Sequence, residues 1–266
     1  MSINPNKARY PMLIDTHCHL DFDCFDPIRE QLLTECYEHN IRHFINPAVS
    51  FSNWQKVIDL SKQYACITPA LGLHPCYVAK HTEQELAALE TWLIKYQLNL
   101  VGEIGLDKRF LDTFTQQLAI FQEQILIAKA LKKPVIIHSV RAHHEVIETL
   151  KQHQFMYSGI IHAFSGSYNM AKAYCDMGFK LGVGSILHYS NSKLTKVLPR
   201  IGAEHLLLET DSPDMLLPEA RESINTPLSL FKTFDLLCHI FAESQNDLEL
   251  ILQKNGEKFT SATSIN

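Results

Sequence analysis

Short apolar or β-branched runs alternate along this chain with longer segments of helical periodicity. The runs occupy residues 12–15, 43–47, 66–71, 100–103, 135–138, 160–163, 180–183 and 206–209. Between them, Thr82 and Glu85 stand at capping-box spacing, followed by Leu86, Leu89, Leu93 and Tyr96 at steps of three and four. Phe114, Leu118, Phe121, Ile125 and Ala128 repeat that pattern, and Pro134 stands just before the next run. Residues 227–241 read as a late, strongly apolar helix. This alternation predicts an α/β protein, a (β/α)8 TIM barrel forming a single domain over residues 1–266. A doubly wound open sheet is the structural alternative, but the first run lacks the GxGxxG turn that would support a dinucleotide fold.

Composition narrows the function without naming it. Hydrophobic residues make up 46% and charged residues 20%, an ordinary balance for a globular protein with one large core. No run approaches the ~18 apolar residues of a membrane span. The polar N-terminus lacks the apolar stretch of a secretory leader, so the expected location is the cytoplasm. Seven cysteines with no CxxC pair are expected to be buried free thiols rather than a disulfide framework. The net charge of −5 argues against a protein that coats long duplex DNA, so any nucleic-acid contact must be local. By contrast, 14 histidines is a high count for the commonest metal-ligating side chain.

The chemistry-bearing residues sit where the runs end. His17 and His19 alternate with Cys18, so on an extended chain both imidazoles share a face, as a chelating pair or as a surface or core pair. Glu103 lies among apolar residues and glycines, where a carboxylate needs a partner: a cation, a salt bridge or a helix cap. His138 and His162 each follow a buried run. Singly, such residues are hydrogen-bonded core histidines; twice in succession they read as ligands. Asp211 falls just past the last run, where barrel enzymes place catalytic groups, although Asp before Ser-Pro is also a common turn. On a closed barrel these six converge on one opening. Six nitrogen and oxygen ligands suit two divalent cations about 3.5–4 Å apart.

The motifs IDTHCHLDF, LGLHP, VGEIGLD, VIIHSVRAH, HAFSGS, GVGSIL and LLLETDSPDM, between about residues 14 and 225, are similar in order and spacing to those of the TatD-like deoxyribonucleases. That family is a branch of the metal-dependent amidohydrolase superfamily. Asn255, Gly256, Glu257, Lys258 and Phe259 give a weaker terminal echo. The resemblance implies that His17, His19 and Asp211 hold one metal, that His138 and His162 hold the other, and that Glu103 bridges them. It also implies that His74 meets the scissile phosphate, where sequence alone equally allows a turn histidine before Pro75. Arg141 is either a phosphate contact at the same rim or an exposed residue at a helix start. Lys108, Arg109 and Phe110 depart from the family pattern, as do the stretches 187–191 and 215–227, and such rim loops govern what is bound.

The expected activity is hydrolysis of DNA phosphodiester bonds by a monomer without membrane contact. Two cations (Zn, Mg, Mn or Co) would lower the pKa of a shared water towards ~7, with Asp211 accepting its proton. Glu209 either orients the ligand shell or points to the barrel wall. Two rivals remain. One keeps the metals but cuts an amide or ester; the other is a metal-binding scaffold without catalysis.

Overall fold

The computed structural model of the protein describes residues 11–242 and 244–260. Most of the N-terminal stretch behind the leader reading therefore lies outside the described residues. Among those described, strands β1 (Leu13–Asp15), β2 (Ile41–Pro47), β3 (Ile67–Ala70), β4 (Val101–Asp107), β5 (Val135–Val140), β6 (Gly159–Ile161), β7 (Phe179–Val183) and β8 (Leu206–Leu208) follow in order. Helices α1 (Arg29–Glu38), α2 (Phe51–Gln63), α3 (Glu83–Lys95), α4 (Phe114–Ala130), α5 (His143–Gln152), α6 (Tyr168–Asp176), α7 (Leu194–Ile201) and α8 (Leu230–Phe241) each follow the strand of the same number. A final helix, α9, spans Gln245–Thr260.

All neighbouring strands pair in parallel, in ladders β1-β2-β3 and β4-β5-β6-β7-β8. Two seams join the ladders into a ring. At one, Leu71 bridges Val101, and the Gly102 N–H donates to the Leu71 carbonyl at 2.9 Å. At the other, the Thr16 N–H donates to the Leu208 carbonyl at 2.9 Å. The fold is the expected TIM barrel.

Side-chain parity divides the core into two layers. Ile45, Ala70, Leu100, Ile136, Ile160, Leu207 and Phe259 form an inner cluster, whereas Phe44, Val135, Ile137, Ile161, Leu206 and Leu208 belong to the larger layer beneath the helices. His138, His162 and Glu209 have the same parity as Ile136, Ile160 and Leu207. The inward column thus changes from apolar to polar two residues further along each strand direction.

The helices form as their patterns require. Thr82 and Glu85 make the reciprocal capping box of α3, and Leu89 and Leu93 are buried beneath it. On α4, Phe121, Ile125 and Ala128 are buried together with two glutamines, Gln117 and Gln124. Each glutamine clamps one backbone unit. Gln124 accepts from the Leu73 N–H at 2.8 Å and donates to its carbonyl at 3.1 Å. Gln117 does the same for Asp107 at 2.8 and 3.1 Å. The α4 face therefore fixes the positions of His74 and Asp107. The late apolar segment differs slightly from expectation: a 3-10 turn, Pro227–Ser229, precedes α8. Proline lacks the N–H that a regular helix interior needs but suits a first turn.

Candidate metal centre

The ends of β1, β6 and β8, with Glu103 from within β4, bring five of the six expected ligands into mutual contact. His17 Nε2 lies 3.2 Å from Glu103 Oε2 and 3.6 Å from Asp211 Oδ1. His19 Nε2 lies 3.7 and 3.4 Å from the same oxygens, and His162 Nε2 lies 3.5 Å from Asp211 Oδ2. The His17 and His162 rings stack with centroids 3.6 Å apart. His17, His19 and Asp211 offer ligand atoms within 4.8 Å of one another, as do His17, Glu103 and His162.

The sixth, His138, stands to one side. Its Nδ1 meets Glu103 Oε1 at 3.0 Å and its Nε2 meets Asp107 Oδ2 at 3.0 Å. His74 Nε2 approaches the same Glu103 oxygen at 3.3 Å. Arg141 is exposed beyond β5 and does not line the cleft above the cluster, whereas Arg109 does. That cleft, about 550 Å³, also has Phe22, Tyr77, Ile186 and Met215 in its wall.

Local folding explains the convergence. Asp15 accepts the Thr210 hydroxyl at 2.6 Å, the Thr210 N–H at 3.0 Å and the His17 N–H at 3.2 Å. It thereby ties the start of the His17 loop to the loop bearing Asp211. Three non-glycine residues leave their strands in the left-handed region, namely Arg141 (φ 55°), Ala163 (φ 44°) and Asp211 (φ 59°). Such conformations cost about 1–3 kcal/mol and concentrate where function fixes the backbone. Glu209 turns inward, 3.0 Å from His162 Nδ1, and accepts the Ala163 N–H at 2.6 Å. Gly182 makes room for it, since a Cβ there would stand 2.0 Å from Glu209 Oε2.

The electrostatics are those of a tightly coupled buried cluster. Burial alone would raise Glu103, but His74 and His17 beside it hold the carboxyl well below its usual range. Asp211 follows the same balance, with His162 and His19 outweighing burial. Burial pulls His19 down, yet Asp211 and Glu103 raise it to about 9. His17, stacked on His162, is pushed down by burial and by that neighbour. Burial lowers His74 to about 4 and raises Asp15 to about 7.

These donors fit a divalent cation. Both ring nitrogens of buried His17 lack a hydrogen-bond partner, as does His162 Nδ1. Their nearest carboxylate oxygens, at 3.0–3.2 Å, are off hydrogen-bonding geometry. A buried polar atom left this way costs free energy. Imidazole and carboxylate donors around one point would recover it by ligating a cation.

A family profile described as TatD related DNase matches residues 14–261. The chain belongs to that family. It is 35% identical over 246 residues to the uncharacterized metal-dependent hydrolase YjjV of Escherichia coli, covering 91% of this chain and 95% of that protein. It is 27% identical over 260 residues to the human deoxyribonuclease TATDN3, with 92% and 93% covered. The crystal structure of YjjV superposes with a TM-score of 0.89 at 34% identity, covering 94% of this chain and 98% of that one. Membership makes the chain a metal-dependent hydrolase, and its His, Glu and Asp groups are compatible with divalent metal binding.

Several site residues escaped the sequence reading. Asp107 stands in the VGEIGLD motif with no role expected of it, Cys76 is expected only as a buried free thiol and is in fact half-buried, and Asp15 is expected only as the end of a strand. The signal for Asp107 was parity: it lies four residues after Glu103, beyond the expected end of β4, which runs on to Asp107.

Proposed function

We propose that this protein hydrolyses phosphodiester bonds of DNA at the barrel mouth, using two divalent cations. The observation that carries the reading is the convergence of His17, His19, Glu103, His162 and Asp211 on one buried point beneath an open cleft. Its family membership and its likeness to a named deoxyribonuclease support the substrate class.

His17, His19 and Asp211 would hold one cation and His138 and His162 the other, with Glu103 between them. When bound, the cations supply Lewis acidity, activating water and neutralising phosphate charge. Asp211 is 16% exposed, open to the cleft while its partners are nearly enclosed, and it stays ionised at neutral pH. It is therefore the group placed to accept the proton of attacking water. His74 accepts the Cys76 N–H at Nδ1, which leaves the proton on Nε2. As a neutral imidazole it donates that hydrogen to a phosphate oxygen. Arg109 holds Asp107 with Nε at 3.0 Å and keeps a half-exposed guanidinium at the cleft wall for a second phosphate. Glu209 orients His162 from behind, as carboxylates behind metal-binding histidines do.

The test is chelation of the purified full-length chain, followed by re-addition of Zn, Mg, Mn or Co. Short single-stranded and duplex DNA are assayed beside a panel of amides and esters. DNA cleavage is expected only after metal is restored, and is expected to be lost in Glu103→Gln. Turnover of an ester or amide without DNA cleavage would overturn the substrate, and no turnover of any kind would favour a scaffold.

A further inference from the structure

On the flank of the cluster just described, one group of ligating side chains has a chemistry of its own. His74, Cys76 and His138 offer ligand atoms within 4.8 Å of one another. The His74 and His138 rings meet edge to face, with centroids 4.4 Å apart. Cys76 Sγ lies 3.5 Å from Asp107 Oδ2, the oxygen that also meets His138 Nε2 at 3.0 Å. All three side chains line the cleft. A cysteine serving as a small hydrophobe packs among apolar groups. Cys18 follows that pattern, wholly buried in the main core. Cys76 is half-buried and faces two imidazoles and a carboxylate.

We propose that His74, Cys76 and His138 form a thiolate-containing cation site on the flank of the main cluster, taking Zn2+, Co2+ or Cd2+ in preference to Mg2+. Two imidazole nitrogens and one sulfur are a ligand set for a tetrahedral, borderline-soft cation, with the fourth position open to the cleft. Mg2+ prefers oxygen ligands and gains nothing from sulfur. On binding, the sulfur–hydrogen bond breaks, its proton leaves to water and a sulfur–metal bond forms, while His74 turns the Nδ1 lone pair from the Cys76 N–H to the cation and keeps its Nε2 hydrogen. Asp107 sits against both Cys76 and His138 and balances part of the added positive charge. The proposal deepens the two-cation reading: His138 has one lone pair to give, so a cation on this flank competes with the second cluster cation for it, and the flank becomes the part of the mouth that discriminates between cations.

Cobalt distinguishes the two claims, since thiolate ligation gives a charge-transfer absorption that nitrogen and oxygen ligands do not. The full-length chain is stripped by chelation and titrated with Co2+. The wild type is expected to show the thiolate band, Cys76→Ser and Cys76→Ala to lose it, and Cys24→Ser, which removes an exposed thiol, to keep it. Absence of the band in wild type at saturating Co2+, or its survival in both Cys76 variants, would overturn the site. DNA cleavage is measured separately on the chelated chain with Mn2+ restored. A thiolate band without cleavage leaves this site standing and removes the nuclease reading; cleavage without a band does the reverse.

Discussion

At the N-terminal end of the barrel, α9 closes the interior with Phe259, which packs against Leu100, Ile136, Ile160 and Leu207. Asn255 beside it donates to the Ala203 and Leu206 carbonyls, each at 2.9 Å. Gly256 lets the helix press on β1, since a Cβ there would already stand 3.0 Å from Ile14 Cδ1. At the C-terminal end lie two stacked imidazoles with three ring nitrogens lacking hydrogen-bond partners, ionised carboxyls and left-handed backbone. One end is satisfied and apolar; the other holds unmet bonding capacity. The contrast teaches that stability and chemistry are separated along each strand by about two residues, and that damage at either end should leave the other largely intact.

Asp211→Asn is the sharpest break on the chemical side. Asparagine tolerates the left-handed backbone at this position, so the melting temperature should move little while DNA hydrolysis falls by at least ~10³-fold. Equal losses of activity and stability would erase the division. Phe259→Ala attacks the other end. Truncating a buried phenylalanine costs about 3–5 kcal/mol, and denaturant melts should register that loss with kcat unchanged in the folded fraction.

His143 carries the comparison outside the mouth, onto α5. Burial lowers its pKa to about 4, and its Nδ1 meets the Tyr174 hydroxyl at 3.1 Å. The folded value lies below the unfolded 6.5, so the unfolded chain binds the extra proton. The stability contribution is complete above pH 6.5 and is lost as pH falls towards 4. It amounts to roughly 3 kcal/mol. Urea melts of metal-free protein across that range should show the decline, and His143→Gln should flatten it. The smallest effect belongs to Glu209→Gln. Removing the charge behind His162 should weaken metal binding about 10–100-fold, read by competition with a chromophoric chelator; unchanged affinity would make Glu209 a wall residue.

Much of this was legible because strand exits and metal-type side chains coincide. His17, His19, Glu103, His138, His162 and Asp211 each follow an apolar run, and the barrel sends all such exits to one face. Parity past the run was harder to use. β4 continues to Asp107 through a register shift between Val101 and Ile104, and no apolar pattern reports a bulge. β6 and β8, by contrast, stop at Ile161 and Leu208, earlier than their apolar runs. The left-handed φ at Ala163 interrupts the first. The partnership of Asp15 with Thr210 spans 195 positions and has no local signature. The buried glutamines of α4 were equally silent, since Gln at a helical position reads as a solvated face until the loops it clamps are known.

The seam between β1 and β8 has a consequence for synthesis. His17 and His19 leave the ribosome early, whereas Asp211 arrives with the last strand, and the Thr16–Leu208 and Asp15–Thr210 bonds that align them need both. A nascent chain that ends before β8 thus carries His17, His19, Glu103, His138 and His162 but lacks Asp211 and the bonds that set it against His17 and His19. The third donor of the first set, and the group placed to accept a proton from water, therefore come last: under the nuclease reading, cutting waits for the ring to close.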